Sequence, residues 1–504
     1  MNNVQSVRLP LCAENEDNRT MKELTTKIDE RNASETGNRT QGWLPLTALS
    51  LSVLLSSLGT SIANVALPTL VFEFDATFPQ VQWVVLAYLV ASTIALITAG
   101  KLADMFGKRQ LMSAGIMVFI TASVLCGVSP TLWMLIAARA VQGIGAAIMT
   151  ALALAMVGDA IPKERAGTAM GLLGTMSAVG TALGPAVGGG LITLFGWPAI
   201  FFINVPLGMA TFVLVLRALK EDRCEAGGAR KSFDWQGTAA LSVALAASIL
   251  ALTIGSMVER FAIIILLAVA VVAFLLFAIF ARRSPTPIVP ARLLRDLDLS
   301  SGLVFSILVT AVVMATMVVG PFYLTAAFGI NAAEVGMIMA IGPIVSAIVG
   351  FPAGRLVDRV GKASGVVAGL AITAAGCLLM VVLPGSLGLV RYIGPLIAIT
   401  AGYATFQAAN NTAVMSMASV GERGVISGML SLSRNLGLIA GASLMAGIFN
   451  WASASEAGGK TDAASGLQLT FGIATALMLS ALSVVLFRRI HARRGGAEPV
   501  HVSA

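Results

Sequence analysis

Residues 100–109, GKLADMFGKR, return in outline at residues 354–362 as GRLVDRVGK. Gly100, Leu102, Asp104, Gly107 and Lys108 thereby match Gly354, Leu356, Asp358, Gly361 and Lys362. Each copy closes one long apolar run and opens the next. A short polar turn, repeated in the second half of the chain between runs of membrane-spanning length, predicts two related halves built of membrane helices. Transporters made by internal duplication carry this pattern.

Composition points the same way. The 504 residues are 57% hydrophobic and 12% charged, against about 25% charged in soluble domains. A soluble core cannot hide that much apolar surface. The formal charge of +8 does not indicate a nucleic-acid partner, because the basic residues are scattered over short loops without an aromatic-interleaved basic face. No Gly-x-x-x-x-Gly-Lys-Ser/Thr phosphate loop occurs, which excludes ATP hydrolysis by this chain as the energy source. His491 and His501 are the only histidines, and Cys12, Cys126, Cys224 and Cys377 form no Cys-x-x-Cys pair. Neither a metal, a disulfide framework, a cofactor nor an enzyme activity is expected.

Apolar runs of about 20 residues predict about fourteen helices, centred near residues 57, 90, 120, 145, 178, 209, 246, 271, 311, 342, 373, 400, 436 and 478. The expected organisation is a disordered cytosolic tail (1–42), an N-terminal six-helix bundle (43–220), a cytosolic loop with a two-helix insert (221–298), a C-terminal six-helix bundle (299–488) and a cytosolic tail (489–504). An even helix count puts both termini on one side. About 28 of the 33 Lys and Arg fall on that side, with Arg260, Arg391 and Lys460 opposite, so the positive-inside bias makes both termini cytosolic.

Several spans carry residues that lipid does not tolerate singly. RAVQGIG at 139–145 puts Arg139 and Gln142 inside an apolar helix, where a cation must face the bundle interior or a water-filled cavity, or bond backbone carbonyls. GTALGPAVGG at 180–189 places Gly180, Gly184 and Gly188 on one helical face, with Gly189 beside them and Pro185 to bend the helix. Such faces allow close backbone contact. In the repeated turn, Asp104 can accept helix-terminal N–H groups while Lys108 and Arg109 hold the loop at the membrane face.

Together these motifs resemble the major facilitator superfamily. LGTSIANVALP at 58–68, GWPAIFFINVPLG at 196–208 and FDWQG at 233–237 are similar to its fourteen-span drug:proton antiporter branch. The resemblance covers residues from about 44 to 490. It implies an all-α membrane protein of major facilitator fold, two six-helix bundles plus two central helices, in the inner cell membrane. It further implies efflux of small amphipathic molecules in exchange for protons by a monomer, with accessory export proteins left open. Under the resemblance Gly100, Asp104, Gly107, Lys108, Arg109, Gly354, Asp358 and Gly361 are gate latches. Arg139 and Gln142 serve coupling, and Gly180, Gly184, Pro185, Gly188 and Gly189 form the antiporter motif. Two departures stand out: Gly59 where the branch carries an acid in its first helix, and Trp197-Pro198 where it carries Trp-Arg.

With that acid missing, the proton carrier must lie elsewhere, and a carboxylate with a burial-raised pKa is the usual kind. Asp104 and Asp159 are the candidates, with Glu334 at the start of the tenth helix and Glu73 and Asp75 in an outer loop. Asn64, Trp83, Tyr88, Gln142, Asn204, Tyr323, Gln407, Asn410 and Asn411 are candidate cavity residues, although interhelical hydrogen bonding is an equally good use for mid-span amides. Arg434, beside Asn435, is expected to be a snorkelling anchor. A metabolite exporter of the same fold is the first alternative; a transport-inactive membrane sensor or scaffold is a remote one.

Overall fold

A computed structural model describes residues 14–160, 166–219, 235–254, 260–283, 296–417, 423–454 and 463–494. Among them the chain is helical throughout, without strands. Helices α1 (Glu14–Glu73), α2 (Phe78–Phe106), α3 (Lys108–Gly127), α4 (Leu132–Ala160), α5 (Ala166–Phe195), the single turn α6 (Ala199–Phe202) and α7 (Asn204–Ala218) make the first half. Helices α8 (Trp235–Ile254) and α9 (Arg260–Arg283) follow. The second half comprises α10 (Leu297–Phe328), α11 (Ala332–Val360), α12 (Lys362–Val382), α13 (Val390–Met415) and α14 (Arg423–Ala440). A π-turn at Gly441–Met445 leads from α14 into α15 (Ala446–Ala454), and α16 (Ala463–Arg494) ends the described chain.

Every predicted helix centre falls in a helix. Eleven segments among the described residues are long and apolar enough to cross a membrane. Three predicted spans fall outside that set. In α8 and α9 the apolar stretches are the shorter segments Ala239–Ser248 and Ile264–Phe280, and α13 carries Arg391, Thr400, Thr405, Gln407, Asn410 and Asn411. Helix α1 starts at Glu14, within the segment 1–42 expected to be a cytosolic tail. Residues 14–41 hold no proline, and include five Glu, three Arg and two Lys, good helix formers, beside five Thr and four Asn, which are weaker ones.

The duplication is visible in the packing. In the first half α1 packs on α5, α2 on α4, and α3 on both α4 and α7. In the second α10 packs on α14, α11 on α13, and α12 on both α13 and α16. The large apolar side chains left on the outside, such as Ile264, Val271, Val272 and Leu275 of α9, are more than half exposed. In water that surface would be a severe liability; against lipid tails it costs nothing.

Candidate functional site

The repeated turn folds identically twice. Gly107 sits at φ 88°, ψ 143° between α2 and α3, and Gly361 at φ 87°, ψ 150° between α11 and α12. Side chains rarely adopt this region, so glycine is required at both points. Each glycine N–H donates back to the preceding helix, to Ala103 at 3.0 Å and Val357 at 2.9 Å, and each glycine carbonyl accepts from the next helix. The cations beyond the turns differ. Arg109 Nη2 donates to the Leu216 carbonyl at 2.7 Å, tying α3 to the end of α7. The second half has Ala363 at the matching place, yet the tie exists in reverse: Arg489 Nη2 of α16 donates to Ser364 Oγ of α12 at 3.1 Å. Gly100 and Gly354 lie inside α2 and α11. The side chains of Asp104, Asp159 and Asp358 lie outside the described residues.

Arg139 is fully buried. Its Nε donates to the Val84 carbonyl of α2 at 2.9 Å and its Nη1 to the Gly59 carbonyl of α1 at 3.1 Å. Nη1 also donates to Gln142, whose own amide donates to Ser123 Oγ of α3 at 2.6 Å. The guanidinium lies over the Tyr88 ring, 4.3 Å from its centroid. Arg139 thus pins α4 to α1 and α2, and Gln142 extends the tie to α3. The missing acid explains part of this arrangement: a Cβ at Gly59 would stand 3.0 Å from the buried Phe119 ring, so Phe119 occupies the room of the absent side chain. Nε and Nη1 of the cation are met by carbonyls rather than by a carboxylate, and Nη2 is buried without a partner. The second half uses a neutral residue at the equivalent crossing. Tyr392 of α13 donates its hydroxyl to the Thr316 carbonyl of α10 at 3.0 Å and lies 3.5 Å from Met339 Sδ of α11.

The glycine-rich motif of α5 has two faces. Gly180, Gly184 and Gly188 lie against α1, where added Cβ atoms would crowd Leu54, Ser61 and Ile62. Gly189 faces the other half: a Cβ there would overlap the Ala332 carbonyl oxygen, and one at Gly336 would overlap that of Pro185. On the same face of the membrane, Phe78 meets Phe322 with centroids 4.4 Å apart. The two halves are therefore in backbone contact on the side away from the Gly107 and Gly361 turns.

Between the halves, a cavity of about 430 Å³ lies in the middle of the helices and in their portions nearer those turns. That volume suits a drug-sized ligand. Of the candidate cavity residues, Asn64, Tyr88, Gln407 and Asn411 line it. Trp83, Asn204, Tyr323 and Asn410 do not. Trp83 packs on the hydrophobic core, Asn204 is buried with its amide turned back to the Ile200 carbonyl of the single turn α6, Tyr323 stacks beside Tyr392, and Asn410 donates to the Gly302 carbonyl of α10. Gln142 is taken up by Arg139 and Ser123 and also lies outside the lining. Glu334 is exposed and closes a reciprocal cap with Asn331 at the start of α11, so it is a helix cap and not a cavity acid.

Sequence reasoning missed most of the wall. Ser56, Ser57, Thr60, Ser61, Thr150 and Ser177 line the first-half side, and Tyr403, Arg434 and Asn435 the other. Arg434 is half-buried at the cavity rather than snorkelling at the membrane edge. A period-3.6 count of polar residues on α14 places Ser431, Arg434 and Asn435 on one helical face, a signal available in the sequence.

Two duplicated helical halves in contact on one face, with a drug-sized cavity between them that is largely apolar with polar groups on both walls, define a multi-pass membrane transporter. The chain belongs to the Major Facilitator Superfamily, whose sequence profile matches residues 49–323 and 300–502. It is 28% identical over 410 residues to the riboflavin transporter RibZ of Clostridioides difficile, covering 81% of this chain and 88% of that one. It is 32% identical over 353 residues to the tetracenomycin C resistance and export protein of Streptomyces glaucescens, covering 67% and 63%. Among solved structures, a mutant of the nucleoside transporter NupG aligns with a TM-score of 0.62 at 13% identity over 88% of this chain and 99% of that one, a likeness of fold. The relatives are transporters and not enzymes.

Proposed function

We propose that this chain exports amphipathic small molecules by alternating access in exchange for protons, with both termini in the cytosol. The cavity's position carries this reading: it lies toward the positively charged face, while Gly189 and Gly336 hold the halves together on the other. That is the state in which an exporter loads from the cytosol. Rocking the halves apart at the glycine contact and together at the Gly107 and Gly361 turns delivers the load outward. Resemblance in the α5 motif and the export role named for the Streptomyces relative support the direction. Asp104 and Asp159, both near the cytosolic ends of their helices, are the proposed proton carriers, and Arg139 and Gln142 the proposed coupling group.

A drug-susceptibility panel in a pump-deficient host, with and without the protein, tests export. Dye uptake into everted vesicles, measured before and after collapse of the pH gradient, tests coupling. Unchanged susceptibility across the panel refutes export of drugs, and uptake indifferent to the gradient refutes proton exchange. The name of the riboflavin relative favours a second reading, export of a single metabolite. Intracellular metabolite pools compared with dye accumulation separate the two.

A further inference from the structure

We propose that the central cavity selects amphiphiles with one negative charge, their acid group held by Arg434. The inference rests on the reading of this cavity as the transport site. Arg434 is the only charged side chain among the described lining residues, and no carboxylate shares the wall with it. Among the described residues it makes no ion pair, although Tyr403 stands within its electrostatic reach. A half-buried guanidinium with no counter-ion among the described residues is a costly arrangement in a low-dielectric cavity, and a bound anion relieves it. Its planar fork suits a carboxylate or sulfonate.

The remaining polar groups give the site a direction. On the first-half wall the hydroxyls have spent their protons: Thr60 donates to the Ser56 carbonyl, Ser61 to that of Ser57, and Thr181 to that of Ser177. What they show a ligand is oxygen lone pairs, which take hydroxyl or N–H donors. On the second-half wall Thr310 Oγ1 is buried without any partner and can donate, while the buried, unpartnered carboxamide oxygen of Gln407 can only accept. Native proteins rarely leave such groups unmatched, so buried unpartnered atoms around a cavity point to a ligand. The acid end of the ligand therefore faces α13 and α14, and its donor-bearing end faces α1 and α5. Met314, Met317, Leu89 and Leu154 supply the apolar surface between them.

The test uses three probes with the full-length protein in proteoliposomes: anilinonaphthalene sulfonate, an anion; phenylnaphthylamine, nearly the same rings without the sulfonate; and ethidium, a cation. Binding and transport are measured for the wild type, Arg434→Gln and Arg434→Lys. Wild-type protein is expected to prefer the sulfonate. Arg434→Gln should weaken the sulfonate by about tenfold or more while leaving phenylnaphthylamine unchanged, and Arg434→Lys should recover part of the loss. Equal handling of sulfonate and amine by wild type, or an equal loss of both in Arg434→Gln, overturns the anion site. If wild type moves none of the three, while known drugs or metabolites are moved, the anion site also fails and the export reading stands. If nothing at all is moved, the export reading itself fails.

Discussion

The two halves cross-link their first, second and fourth helices at the same place with different chemistry. In the first half the tie is Arg139, a buried cation held by the Gly59 and Val84 carbonyls and by Gln142. In the second it is Tyr392, reaching the Thr316 carbonyl and Met339. A neutral hydroxyl therefore suffices to hold the fold. The charge at Arg139 is an extra expense inside a membrane, which argues for a use beyond packing. The halves also reverse their cavity contributions: the first hides its arginine and shows hydroxyls, and the second shows Arg434.

The largest effect is expected at the charged tie. Arg139→Ala removes three charge-assisted bonds and leaves two buried carbonyls without that donor, at roughly 1.5–3 kcal/mol per bond. Export should vanish and the melting temperature in detergent should fall, with Arg139→Lys intermediate in both. Wild-type transport by the alanine variant would make Arg139 no more than a charged copy of Tyr392.

Next comes the contact between the halves. Gly189→Leu forces a side chain into the Ala332 backbone, and overpacking of this kind costs about 1–3 kcal/mol. The cost falls only on the state with the outer face closed, so the population should shift toward outward opening. A cysteine placed at Thr310 should then label faster from outside the cell. Gly180→Leu, which crowds α1 within one half, should instead lower stability without that shift. Equal labelling in both variants would remove the distinction between the two faces of the motif.

The turns offer a finer comparison. Arg109→Ala and Arg489→Ala each break one tie at the turn face, and both should slow vesicle transport by a similar factor, about two- to tenfold, from roughly 0.5–1.5 kcal/mol. A loss confined to Arg109 would mean that the reversed tie in the second half does not serve as a latch. The smallest effect belongs to Tyr392→Phe. Loss of one neutral hydrogen bond predicts about 1 kcal/mol, seen as a lower melting temperature with transport intact. Abolished transport in that variant would erase the contrast between structural and functional ties.

The sequence determined what depends on local periodicity and on residues with few physical options. Apolar run lengths set the helices, the repeated Gly-x-Leu-x-Asp-x-x-Gly-Lys block announced the duplication, and Gly107 and Gly361 stand where only glycine takes the positive φ. A buried arginine had to find partners, and the glycine row on α5 had to meet a backbone. Which partners and which backbone, however, are facts about neighbouring helices. Asn64 and Asn410 look alike as mid-span amides, yet one lines the cavity and the other bonds Gly302. Arg434 and Arg139 are both intramembrane cations, yet one faces the cavity and the other is sealed by carbonyls. Serines and threonines gave no signal, because in an apolar helix each can satisfy itself on the carbonyl three or four residues back. Only the tertiary structure gathers them into one wall, since rotation about each helix axis is settled by packing between helices and not by the run of residues along any one of them.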